Sequence, residues 1–108
     1  LMPKKKTVIP TTIDVGGIEF KVILSKIKDF GDMDIDTKTI RVRADLKPEE
    51  AFDTLMHETV HAALAVSGLT NILDDDNLEE AIVRMTDYLI FPLYKKQYDE
   101  FRKTIEEV

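Results

Sequence analysis

A chain of 108 residues that is 44% hydrophobic and 33% charged is long enough for one compact domain with a real core, and no internal repeat divides it. A net charge of -6 argues against nucleic acid as a partner, and the basic run Lys4-Lys5-Lys6 reads as part of a flexible terminus over residues 1–6. The chain has no cysteine, no apolar run long enough to span a membrane and no signal peptide, so disulfides are excluded and a cytoplasmic setting is expected.

The first half of the chain alternates polar and apolar residues, which predicts a small sheet. Thr7 to Val15 and Ile18 to Leu24 are strand-like, with Gly16-Gly17 between them at hairpin spacing. The aspartate-rich run from Asp29 to Asp36 reads as a loop. It lacks the glycine and terminal glutamate of a calcium loop, so no metal is assigned to it. Thr39 to Arg43 is a further strand, with Ile40 and Val42 facing the core and Arg41 and Arg43 facing solvent.

The second half is helical. Lys47-Pro48-Glu49-Glu50 places proline at a first helical position with acids in the first turn, and Gly68 is the terminator after about Ser67. Asp74-Asp75-Asp76 reads as a loop before a long helix from about Leu78 to Glu107, interrupted or kinked near Pro92 by the missing donor and the ring clash. Both Asn77-x-x-Glu80 and Asp76-x-x-Glu79 have the spacing of a capping box. Periodicity through Leu78, Ala81, Ile82, Met85 and Leu89 gives that helix an apolar face, to which Glu79 lies nearer than Glu80. Tyr88, Phe91, Tyr94, Tyr98 and Phe101 follow as packing residues. The expected fold class is α+β: a small, mostly antiparallel sheet packed against a motif-bearing helix and a long C-terminal helix.

One motif carries chemistry. In His57-Glu58-Thr59-Val60-His61 the two histidines stand one helical turn apart on the same face, so both imidazoles can reach one metal ion. Glu58 projects beside them, placed to take a proton from a metal-bound water. The surrounding run from Thr54 to Ala63 has no charge except Glu58, which suits a dry site. The bland alternative is an amphipathic core helix carrying two partly buried histidines.

With this motif the chain resembles the zincin metallopeptidases. The branch with a third histidine would need glycine at position 64 and histidine at position 67, where this chain has Leu64 and Ser67. Both histidines are already used and cysteine is absent, so a third ligand must be an oxygen donor. That points to the glutamate-ligand branch, the gluzincins, whose third ligand lies on a following helix. Glu80 matches that pattern, Glu79 is the alternative, and Asp74, Asp75, Asp76 and Asp87 remain behind them. The segments His57 to Leu64, Ser67 to Leu69, Glu79 to Arg84 and Asp36 to Arg43 resemble small phage and prophage proteins related to the ImmA/IrrE-type metallopeptidases.

The resemblance implies Zn²⁺ held by His57, His61 and Glu80, with Glu58 as the general base of peptide hydrolysis. It also implies an extended peptide substrate bound along a sheet edge, for which strand 39–43 is the expected edge. A tyrosine that steadies the oxyanion, Tyr94 or Tyr98, would stand where other gluzincins place a residue from a later subdomain. The alternative function is a non-catalytic zinc-binding interaction or phage-derived regulatory module.

Overall fold

A computed structural model describes residues 9–73 and 75–106. It is an α+β fold: a four-stranded sheet with helices after it. Of the expected first strand, Thr7 and Val8 lie outside the described residues, as do Lys4-Lys5-Lys6, Asp74 and Glu107.

Strands β1 (Thr12–Val15) and β2 (Ile18–Ser25) form the expected hairpin. Gly16 and Gly17 both have positive φ, +62° and +88°, as a two-residue turn matched to strand twist requires. The Asp14 carboxylate accepts from the Gly17 N–H at 2.8 Å and holds the turn.

The aspartate-rich segment departs from its reading as a loop. Gly31–Asp34 is strand β3, paired antiparallel with β4 (Thr39–Arg43). Two of its aspartates have structural partners. The Asp32 carboxylate receives the Arg41 guanidinium across the ladder, with Arg41 Nε donating at 2.8 Å, and this pairing raises the Arg41 pKa. The Asp34 carboxylate accepts from the Asp36 N–H at 2.9 Å and closes the turn. Short polar strands with such partners carry little apolar alternation, so composition concealed this one.

The strand order is β1-β2-β4-β3, with β2 and β4 parallel and the other two pairs antiparallel. Strand 39–43 is therefore an interior strand flanked on both sides, not the exposed edge; the edge nearest the helices is β3. Its ladder is filled because the polar segment before it, misread as a loop, supplies the missing neighbour. Ile40 and Val42 are fully buried, as the alternation predicts.

Helix α1 (Pro48–Val66) covers one face of the sheet. Lys47 N–H donates to Glu50 Oε1 at 3.2 Å at its start, and Gly68, at φ +82°, follows its end at Ser67. Ala51, Leu55, Glu58 and Ala62 make a buried stripe at helical spacing. The apolar members join Phe20, Val22, Ile40 and Val42 in the core. A carboxylate thus occupies a core-facing position, and the histidines sit on the adjacent face.

After the short α2 (Leu69–Ile72), α3 (Asp76–Met85) runs into a π-helical turn (Thr86–Ile90) and then α4 (Phe91–Glu106). Asp75 is the actual cap, its carboxylate accepting from Asn77 N–H at 2.8 Å, so neither capping box forms. Instead of breaking at Pro92, the helix widens before it. Phe91 N–H reaches back to the Thr86 carbonyl, and the looser turn accommodates a ring that would strike the carbonyl one tight turn earlier. The periodic face is also displaced: Leu78, Met85 and Leu89 are exposed, and Val83 is the buried residue of α3. α4 packs chiefly on the π turn, and every side chain from Pro92 to Thr104 is exposed. This projection accounts for a radius of gyration of 16.0 Å, against about 13 Å for a compact chain of this length. No helix among the described residues is long and apolar enough to cross a membrane.

β3 approaches α1 so closely that a Cβ on Gly31 would lie 2.6 Å from Thr54 Cγ2, 2.7 Å from the Arg41 carbonyl oxygen and 3.4 Å from Glu58 Cγ. Gly31→Ala is therefore expected to cost about 1–3 kcal/mol in urea unfolding, as overpacked sites do. An unchanged midpoint would show that strand and helix are less tightly apposed.

Candidate metal centre

The buried stripe of α1 turns Glu58 toward the sheet, and the preceding residue, about 100° back around the helix, turns His57 toward α3. His61, one turn on, shares that direction. α3 presents Glu79, Glu80 and Val83 to them, and the π turn brings Asp87 within reach of the same pair.

The geometry separates two kinds of carboxylate. Glu80 faces both imidazoles, with His57 Nε2 3.3 Å from Oε1 and His61 Nε2 3.3 Å from Oε2. The other ring nitrogens are taken: His57 Nδ1 is 2.6 Å from Asp87 Oδ2 and His61 Nδ1 is 2.8 Å from Glu79 Oε2. An ionised carboxylate only accepts, so Asp87 and Glu79 favour the tautomer in which each Nδ1 donates, and the two Nε2 atoms face Glu80. Glu79 is held in turn by Thr70 of α2, whose hydroxyl donates to Oε1 at 2.7 Å. This bond and the His61 contact keep the Glu79 carboxyl below the usual range.

Donor atoms of His57, His61 and Glu80 all lie within 4.8 Å of one another. Two ligands about 2.0–2.1 Å from a common ion at the tetrahedral angle stand roughly 3.3 Å apart; each imidazole stands 3.3 Å from one of the two Glu80 oxygens. The set fits a small N/O-liganded cation. Charge points the same way: Glu58, Glu79, Glu80 and Asp87 gather around two imidazoles, and among the described residues none of the four pairs with a lysine or arginine. A divalent cation would offset that excess.

Glu58 stands apart from the ligand set. It is 8% exposed, lies under Gly31 and accepts no hydrogen bond among the described residues, while lining the groove that also exposes His57. Burial pushes its carboxyl above the usual range, partly offset by the two imidazoles.

The sequence-expected residues His57, Glu58, His61 and Glu80 converge. The alternative Glu79 is a neighbour of His61 Nδ1 and not of the Nε2 pair, and Asp87 holds the equivalent place for His57. Asp75 caps α3 and Asp76 lies in its first turn. Tyr94 and Tyr98 line the groove, stacked on each other with centroids 6.5 Å apart. Thr70 and Gly31 carried no sequence signal, because each acts through a neighbour distant along the chain.

The chain was compared with protein-family profiles, curated proteins and solved structures, and it matches none.

Glu58 carries a stability consequence with a definite sign. Its raised pKa means the ionised form opposes folding at pH above the folded value, and the penalty fades as pH falls through that value toward the ordinary carboxyl range. In metal-free protein, Glu58→Gln is expected to raise Tm by a few degrees near neutral pH, with the gain shrinking on acidification. Calorimetry across pH checks this; a lower Tm at neutral pH would mean the carboxylate has a stabilising partner.

Proposed function

We propose that the protein is a zinc-dependent metallopeptidase of the gluzincin type, with His57, His61 and Glu80 as ligands and Glu58 as general base. The observation that carries this reading is the pair of Nε2 atoms, each 3.3 Å from the Glu80 carboxylate, beside a second carboxylate, Glu58, that is largely buried and lines the groove. A purely structural metal site has no use for that second group.

When bound, zinc supplies Lewis-acid chemistry: it polarises a carbonyl and lowers the pKa of water toward about 7. The protein's own groups do the rest. Asp87 and Glu79 fix the tautomer and orientation of the two imidazoles. Glu58 takes the proton of the attacking water as the new C–O bond forms, then gives it to the leaving amine as the peptide C–N bond breaks. Burial raises the pKa of Glu58, the direction that makes the carboxylate a better proton acceptor.

The peptide has a place to lie. In the antiparallel β3–β4 ladder the Phe30 carbonyl accepts from Arg43 N–H, so by alternation Gly31 and Met33 direct their backbone groups away from β4. An extended chain pairing there would pass over Glu58, which lies against Gly31. This gives β3 the part expected of strand 39–43.

The alternative, a zinc-binding interaction module, is favoured by the unpartnered apolar side chains on α4. It predicts a closed coordination sphere and no role for Glu58.

Elemental analysis of purified protein is expected to find about one zinc per chain, lost in Glu80→Ala. Glu79→Ala should retain the site with affinity reduced roughly 10–100-fold, because it removes only the group orienting His61. Loss of metal in Glu79→Ala alone would reverse the two assignments.

Glu58→Gln is expected to keep its zinc while hydrolysis of unfolded casein falls at least about 100-fold. Full hydrolysis by that variant, purified free of host proteases, would rule out the peptidase mechanism.

A further inference from the structure

From the candidate centre a groove of about 1270 Å³ opens between α1 and the π turn with α4. His57, Glu58 and Asp87 line its inner end. Its walls are aromatic and apolar: Phe52 and Met56 on α1, Tyr88, Tyr94 and Tyr98 opposite, and Phe30 at the strand edge. Several of these rings are more than half exposed, with Phe52 at 59% and Tyr94 at 70%. Pockets for small ligands run to about 1,000 Å³ and are mostly enclosed; this groove is larger and has divergent walls. The stacked Tyr94 and Tyr98 rings offer a flat apolar surface.

Its charge is one-sided. Glu49, Glu50 and Asp53 stand on the α1 wall and only Lys95 on the other. On a helix rising about 1.5 Å per residue, Asp53 lies about 6 Å from His57 along the axis, and Glu49 and Glu50 about 10–12 Å. An extended chain advances about 3.3 Å per residue. The acidic side chains therefore fall about two to four residues along a peptide from the bond placed at the centre.

We infer that this groove binds the side chains of the peptide substrate, and that the substrate segment carries a bulky apolar residue beside the cleaved bond with basic residues about two to four positions away. The inference rests on the peptidase reading, because the groove is continuous with Glu58 and His57. The aromatic walls supply most of the discrimination, since exposed ion pairs contribute little, and the acidic rim sets which apolar segments are admitted.

The test uses full-length Glu58→Gln protein, which holds a peptide without turning it over, and fluorescein-labelled synthetic peptides of one scaffold. One has a central phenylalanine with flanking lysines, one a central serine with the same lysines, and one the phenylalanine with flanking glutamates. Anisotropy is expected to show the phenylalanine–lysine peptide bound at least about tenfold more tightly than either of the others. Phe52→Ser and Tyr94→Ser, both at exposed positions, should abolish the preference while Tm and zinc content are unchanged.

Equal binding of the three peptides would overturn the inference. So would sedimentation showing a dimer that Tyr94→Ser dissociates, with no peptide preference in the resulting monomer, because the groove would then be a contact between copies. Elemental analysis of the same protein, as purified and after added zinc, separates the two readings. Preference in a protein that neither holds nor takes up zinc keeps the groove and removes the metal centre, whereas zinc binding without preference does the reverse.

Discussion

The contact between α1 and α3 is made of imidazoles and carboxylates, and the placement of everything else follows from it. Val83 is the one buried residue of α3; His61 to Glu79 ties the two helices, and His57 to Asp87 ties α1 to the π turn that follows. Groups of this kind are costly to bury unless each donor meets an acceptor, and here each Nδ1 does. The two Nε2 atoms and Glu80 are left facing one another.

Much of the fold was legible because it obeys local rules. The glycine pair announced the first turn, Pro48 and Gly68 bracketed α1, and Ile40 and Val42 faced inward as their alternation required. The aspartate segment and the second helix were less legible for one shared reason. In β3 the polar residues are consumed by a cross-strand ion pair and a turn, and in α3 Glu79 and Glu80 face the histidines while Leu78 and Met85 face out. Composition-based reasoning assumes that charge points to solvent, and in both places a specific partner reverses that assumption.

The candidate site shows the same division. His57, Glu58 and His61 were legible because their spacing along a helix fixes their relative directions. Glu79 and Glu80 are adjacent, so which of them would face the Nε2 atoms depended on where α3 begins, and it begins two residues before the expected start. Asp87 reaches His57 from the widened turn beside Pro92, a geometry that no regular periodicity describes. Thr70 and Gly31 were silent, since a threonine on a short helix and a glycine in a polar strand acquire meaning only from what they touch.

The order of the strands has a bearing on how the molecule assembles. β1 pairs with β2 and β3 with β4 as near neighbours in sequence, and the parallel join of β2 to β4 spans only the segment that contains β3. The histidines and their carboxylates likewise come from consecutive elements. The two hairpins and the contact of α1 with α3 are local along the chain and lose little loop entropy on closing, whereas the parallel join of β2 to β4 and the packing of α1 on the sheet are long-range. The helical hairpin can gather the ligand residues on its own timescale, while the dry setting of Glu58 arrives only when the sheet closes over it. Ligand assembly and the burial of the base are in this way separable events in the life of one small domain.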